Sequence, residues 1–235
     1  MKKVLIGIQC RMNSERLPGK ALKQVGAKPI IEHVVQSCKA SAKYINQLGR
    51  YNTHCRVFLL VPRGDDELIH AMKKKIDIIE GPENDVISRY VKGLNTTDSD
   101  YVVRITGDCL YIPSHVISRH IKYAIQKESD YCNNILQRCN PEGWDTEVIS
   151  KRLLHWLDEN ATSAQDREHV TTYIPKALDG RYFPNRFKIH TSKDHIDLSH
   201  IKTSIDTLED YERAVMEFAA RSQKSEYCRR YGEVF

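Results

Sequence analysis

Ten residues near the amino terminus carry a dense set of side chains suited to binding phosphate. The run Arg11-Met12-Asn13-Ser14-Glu15-Arg16-Leu17-Pro18-Gly19-Lys20 sets three cations against one acid. Arginine offers a planar bidentate fork and lysine a mobile point charge. Arg11, Arg16 and Lys20, with the Ser14 hydroxyl and the N–H groups near Gly19, could therefore grip a triphosphate from several sides. The same run also reads as a solvated surface loop. It is not a P-loop, because Ala21 stands where the metal-binding Ser or Thr would be, and no GxGxxG occurs in the chain.

Two acids stand out further along. Asp108 follows the largely apolar run Tyr101-Val102-Val103-Arg104-Ile105 and then Thr106-Gly107, and Asp206 follows the run 201–205. Mg²⁺ is held by one or two carboxylates together with substrate oxygens, which an acid just past a buried strand is placed to supply. Asp108 equally fits a turn or helix cap, and Asp206 fits an acid that stabilises a helix dipole. Open α/β sheets bind ligands beyond the carboxyl ends of their strands. A basic loop and two strand-end acids on that edge predict a phosphoryl-transfer site.

The elements that must position these groups follow from periodicity. Residues 4–8, 56–61, 77–80, 101–105 and 201–205 are short apolar runs, expected as buried strands. Between them, apolar residues recur at helical spacing: Ile30, Ile31, Val34, Val35 and Cys38 after Pro29; Val86, Ile87, Tyr90, Val91 and Leu94; Val116, Ile117, Ile121, Ala124 and Ile125. A helix is also expected over 65–75. Alternation of this kind predicts an α/β fold, a mostly parallel sheet covered by helices in three layers. From 131 to 195 the alternation weakens into an excursion with antiparallel strands and one helix at 151–160, suited to an acceptor pocket or a dimer contact. Thr207 with Asp210 predicts a capping box for a last helix bearing Leu208, Tyr211, Val215 and Phe218.

Composition sets the boundaries. A chain of 235 residues, 40% hydrophobic and 29% charged, suits one globular domain spanning 1–235. The first residues are too short an apolar run for a signal peptide or membrane span. Seven cysteines without CxxC or zinc spacing fit free thiols in a reducing cytosol, so a cytoplasmic protein is expected. The net charge of +5 fits a small anionic substrate without requiring one, and the chain lacks the long basic run or basic–aromatic interleaving of single-strand binders, so no nucleic-acid partner is expected.

Several blocks resemble one family. Arg11-x-x-Ser14-x-Arg16-Leu17-Pro18-Gly19-Lys20 with Gly26-x-x-Pro29-Ile30 is similar to the opening signature of the CMP-sugar (acylneuraminate-type) cytidylyltransferases, nearest to the spore-coat polysaccharide subgroup. The resemblance continues in Gly81-x-x-x-Asp85-Val86-x-x-Arg89-Tyr90, in Val103-Arg104-Ile105-Thr106-Gly107-Asp108-Cys109 and in Pro141-x-Gly143-x-Asp145-x-Glu147-Val148. It closes with Arg167-Glu168-His169-Val170-Thr171-x-Tyr173-Ile174 and Ile205-Asp206-Thr207-x-x-Asp210-Tyr211. Two departures bear on substrate choice, and neither touches the expected phosphate or metal residues. Leu110-Tyr111 stands where the family usually has Pro-Leu, and 44–55 is longer and more polar than usual.

The resemblance implies a nucleotide-diphosphosugar-transferase (Rossmann-like, GT-A-like) fold, CTP as substrate and Mg²⁺ as cofactor, with CMP passing to a small acidic acceptor and pyrophosphate leaving. Gln9, Arg11, Ser14, Arg16 and Lys20 would hold the nucleotide, with Gly81, Asp85 and Arg104 nearby. Asp108 and Asp206 would hold the metal, and Lys20, Arg16 and Asp108 would carry the chemistry. Asp145, Glu147, Arg167 and His169 would face the acceptor; His169 equally fits a structural hydrogen-bonding role. A homodimer is also implied. One alternative is a GT-A glycosyltransferase that consumes a nucleotide-sugar, with Asp98-Ser99-Asp100 as its acidic pair. Another is a catalytically silent nucleotide sensor or scaffold, against which both acids and all three loop cations speak.

Overall fold

The computed structural model describes residues 1–49, 51–179, 187–193 and 196–231, so the excursion read at 131–195 falls partly outside the described residues. Strands β1 (Lys2–Gln9), β4 (Thr53–Pro62), β5 (Asp77–Gly81), β6 (Tyr101–Thr106), β7 (Tyr131–Asn133), β8 (Glu147–Ser150) and β9 (Ile189–Thr191) form one seven-stranded sheet in the order β5-β4-β1-β6-β8-β7-β9. β1 pairs in parallel with β4 and β6, and β4 with β5, whereas β8 runs antiparallel to β6 and β7. A two-stranded hairpin, β2 (Gln24–Val25) and β3 (Lys28–Pro29), precedes the first long helix.

The unbroken apolar runs of the central strands are explained by burial on both faces. Along β1, Val4, Ile6 and Ile8 pack on one side with α1 (Ile30–Gln47), α2 (Asp66–Met72) and α4 (Ser114–Lys127). Leu5 points to the other side, toward α3 (Val86–Thr97) and α5 (Lys151–Asn160). Gly7 faces that second side, where a Cβ would lie 2.7 Å from the Tyr90 ring; the Tyr90 hydroxyl donates to the Gly7 carbonyl at 3.0 Å.

The last helix, α8 (Leu208–Tyr231), closes a third cluster with Leu17, Val25, Ile30, Leu110, Ile205 and Ala214. Its capping box forms as expected: the Asp210 N–H donates to Thr207 Oγ1 at 3.3 Å and the Thr207 N–H to Asp210 Oδ2 at 3.1 Å. Tyr211 and Phe218 pack inward, while Leu208 and Val215 are exposed. The unusual Leu110-Tyr111 pair serves this docking, with Leu110 buried and the Tyr111 hydroxyl donating to Glu217 at 2.7 Å.

Two expectations change. The run 201–205 is an extended loop, not a strand, with one bridge between Glu142 and Lys202. Gly143 (φ +97°) packs so closely there that a Cβ would lie 2.6 Å from the Ser204 nitrogen. The excursion also contains two unforeseen helices, α6 (Ala164–His169) and α7 (Tyr173–Asp179), each too short to show a helical period.

Candidate active site

The sheet order reverses between β1 and β6. From β1 the chain passes to β4 and β5 on one side, then returns to β6 on the other. The loops leaving β1 and β6 therefore diverge and leave a crevice at their carboxyl ends. A cavity of about 490 Å³ lies there, in the size range of small-molecule sites. The Gly107 N–H donates to the Gln9 carbonyl at 2.9 Å, holding the loop bases together. Gly107 permits the approach, since a Cβ would lie 2.6 Å from Cys10 Sγ.

The basic loop is shaped from within. The Ser14 and Gly19 N–H groups both donate to the Met12 carbonyl, at 2.9 and 3.0 Å, and the Lys20 N–H to Leu17 at 3.1 Å. Gly19 takes the left-handed conformation (φ 69°) that this turn requires. Asp65 anchors the start, accepting from the Met12 N–H at 2.9 Å. The amides of Ser14, Gly19 and Lys20 are spent inside the loop, while the side chains of Arg11, Ser14, Arg16 and Lys20 line the cavity together with Ala21.

Lys20 stands between the two acids. Its ammonium donates to Asp108 Oδ2 at 2.7 Å, to the Ile205 carbonyl at 3.0 Å and to Asp206 Oδ1 at 3.2 Å, which uses all three of its protons. Asp206 reaches this point because the Ile205 N–H donates to the Asp108 carbonyl at 3.1 Å. Arg16 approaches Asp206 Oδ1 from the solvent side at 3.1 Å. Burial opposes the charge of Lys20, but the two aspartates outweigh it and its pKa rises. Burial likewise pushes Asp206 up, yet Lys20, Ser204 and Arg16 hold it below the ordinary aspartate value.

Beside this triplet, Arg11 donates to Glu168 at 2.8 Å, and Glu168 and His169 of α6 line the same cavity. Arg104 donates through Nε to Gln9 Oε1 at 3.0 Å and through Nη1 to Glu147. Glu147, fully buried, also accepts from the Tyr131 hydroxyl and does not line the cavity. Burial works against the Arg104 charge, but Glu147 more than compensates and its pKa rises.

The remaining expected residues lie outside the lining. Asp85 caps α3 through the Ser88 N–H at 3.0 Å and pairs with Arg167 at 2.7 and 3.0 Å. Arg167 also holds Asp158 at 2.7 Å, and Asp145 forms a bidentate pair with Arg138 at 2.6 and 3.0 Å. Gly81 closes β5. Asp98 and Asp100 sit at the opposite end of the sheet, where the Lys3 side chain and N–H donate to them at 2.7 and 2.8 Å. The acidic pair of the glycosyltransferase alternative is therefore remote from the cavity. Arg89 and Glu168 line the cavity without having been singled out. Arg89 had a legible signal: a cation three residues after Val86 and beside Tyr90, on the apolar stripe of a helix.

Among the described residues, no helix is long and apolar enough to cross a membrane. A family model described as cytidylyltransferase matches residues 5–49, which contain the basic loop. The spore coat polysaccharide biosynthesis protein SpsF of Bacillus subtilis (strain 168) is 30% identical over 217 residues, covering 90% of this chain and 85% of that protein. The structure of a cytidylyltransferase from Leptospira borgpetersenii serovar Hardjo-bovis superimposes with a TM-score of 0.80 at 26% identity, over 100% of both chains. A CMP:2-keto-3-deoxy-manno-octonic acid synthetase complexed with CTP shares the fold, with a TM-score of 0.67 at 14% identity over 94% of this chain and 100% of that one. The ordered blocks, the switch-point crevice and these relatives agree, and the chain belongs to the cytidylyltransferase family that includes the spore coat polysaccharide biosynthesis protein SpsF.

Proposed function

We propose that this chain transfers CMP from CTP to a small acidic acceptor and releases pyrophosphate, with Mg²⁺ as cofactor. The observation that carries the reading is Lys20, whose ammonium Asp108 and Asp206 share at 2.7 and 3.2 Å on one wall of a cation-lined cavity. Asp108 and Asp206 converge on one point beside the cavity and would be the residues to hold a divalent ion there. Hard oxygen donors suit Mg²⁺, which needs only one or two carboxylates beside waters and phosphate oxygens. When bound, the ion supplies Lewis-acid neutralisation of phosphate charge.

The chain's own residues position and neutralise. Arg11 and Ser14 hold the triphosphate, and Lys20 and Arg16 balance the charge that develops on departing pyrophosphate. The acceptor oxygen attacks the α-phosphorus in line, and orientation within the cavity provides much of the rate enhancement. An acceptor phosphate or phosphonate arrives ionised and needs no base, whereas a sugar hydroxyl gives up its proton as it attacks, and a bound divalent ion would lower its pKa. Arg104, fixed between Gln9 and Glu147, presents a cation on the same wall. The designation of the Bacillus subtilis relative, a polysaccharide biosynthesis protein, favours an acidic sugar as acceptor.

The test is pyrophosphate release from CTP with Mg²⁺ across a panel of acidic sugars, phosphates and phosphonates. The wild type releases pyrophosphate with at least one acceptor, and Asp108→Ala releases none while still binding CTP. A fully active Asp108→Ala enzyme would remove this mechanism.

A further inference from the structure

Arg89 is a buried cation to which no described carboxylate is bonded. It projects from α3, is 2% exposed and lines the cavity. Nη1 donates to the Leu60 carbonyl at 3.1 Å and Nη2 to the Glu83 carbonyl at 3.3 Å, both neutral acceptors. Its Nε is buried and has no hydrogen-bond partner. A guanidinium carries five N–H donors and no acceptor, so two bonds leave most of its capacity unused. Leaving a buried charge uncompensated is costly. Burial lowers the Arg89 pKa, and nearby Arg11 adds to that effect.

The fold makes room for this arrangement. Gly81 lies under the Arg89 stem, where a Cβ would sit 2.6 Å from Arg89 Cγ. Any larger residue at position 81 must displace the arginine, which ties the Gly81–Asp85 turn to the cavity through Arg89. The guanidinium is bonded at the ends of β4 and β5, whereas Asp108 follows β6, two strand intervals from β4 across β1. At about 4.8 Å per interval the separation is roughly 10 Å. That span suits a nucleotide lying across the crevice with phosphates at Lys20 and its base at Arg89. Val86 adds an apolar wall at the base end.

We propose that Arg89 is a specificity-determining residue that reads the N3/O2 edge of cytosine and so selects cytidine over uridine nucleotides. Cytosine offers two adjacent acceptors on this edge, N3 and O2. Uracil keeps O2 but carries a hydrogen on N3, which a group with donors alone cannot satisfy. Sites that hydrogen-bond their ligand reject analogues that leave those bonds unmade more strongly than apolar pockets reject a missing methylene.

The inference rests on the CTP reading above, and calorimetry with Mg²⁺ separates the two. Wild-type protein is titrated with CTP, UTP and 3-deaza-CTP, whose N3 is replaced by C–H. The expected result is binding of CTP about 10- to 100-fold tighter than either analogue, the range of a hydrogen bond to a charged group. Arg89→Met is expected to weaken CTP by a similar factor and to erase the preference over UTP. Gly81→Ala is expected to reduce that preference by displacing the arginine. The melting temperature of each unliganded variant checks folding. Should Arg89→Met not fold, the wild-type 3-deaza-CTP comparison and Gly81→Ala decide. Wild-type affinity for 3-deaza-CTP equal to that for CTP, or equal losses for CTP and UTP in a folded Arg89→Met, would overturn the proposal while leaving CTP as substrate. Failure of the wild type to bind CTP at all would overturn both.

Discussion

Lys20 Nζ lies 2.7 Å from Asp108 Oδ2 although 88 residues separate them in sequence. The bond spans the crevice between the loops that leave β1 and β6, and the same ammonium draws in Asp206. With side chains 16%, 22% and 14% exposed, these groups are screened by solvent only in part.

Replacing Lys20 by Met keeps the stem and leaves two neighbouring carboxylates without their shared cation. The side chains are not fully buried, so the expected destabilisation is about 1–3 kcal/mol, below the 3–5 kcal/mol of a deeply buried broken pair. Urea unfolding of the unliganded protein reads it. Pyrophosphate release is expected to fall about 10²–10³-fold, as when one donor to a developing oxyanion is removed. Wild-type stability together with a wild-type rate would contradict both roles.

Glu147 was expected at the acceptor. Its side chain, 1% exposed, is sealed behind Arg104 and bonded to Tyr131. Glu147→Ala would leave the Arg104 guanidinium, 12% exposed on the cavity wall, without its carboxylate, costing about 1–3 kcal/mol in chemical unfolding. A loss below 1 kcal/mol would show that water reaches Arg104 and that the pair is weaker than its burial implies.

The capping box of α8 gives a pH dependence of known sign. Burial opposes the Asp210 charge, but Lys202 and the N–H groups of Asp206 and Thr207 outweigh it and hold its pKa well below the ordinary aspartate value of 3.8. A carboxyl whose folded pKa is depressed contributes stability that is fully present above 3.8 and is lost as pH falls through the folded value. Asp210→Asn is therefore expected to cost about 1–3 kcal/mol at neutral pH, with the difference from wild type shrinking toward zero in acid. Unfolding free energies measured across that pH range check it. A difference that stays constant with pH would assign the effect to shape, not charge.

Much of this arrangement was legible in the sequence. The basic loop could be read because its charges are local, and Asp108 because an acid after an apolar run marks a strand end. Asp206 was found by position although 201–205 is not a strand; its placement comes from the Asp108–Ile205 backbone bond and the Thr207–Asp210 box, of which only the box is local. Asp85 and Arg167 show the limit. Motif order grouped them with ligand-facing residues, yet they bind each other across 82 residues, a pairing no local pattern encodes. Arg89 stood in plain view on a helix stripe, but its burial without a carboxylate is set by Gly81, Leu60 and Glu83, all on other elements. The excursion resisted reading because its strands are three or four residues long and join the main sheet through distant partners.

The claim on which the proposed chemistry depends is that Asp108 and Asp206 jointly hold one divalent ion beside the triphosphate. Mn²⁺ binding, followed by electron paramagnetic resonance with a non-hydrolysable CTP analogue present, measures it without turnover. One tight ion per chain is expected in the wild type, weakened at least about tenfold in both Asp108→Asn and Asp206→Asn. Wild-type Mn²⁺ affinity in either folded variant would contradict the shared site.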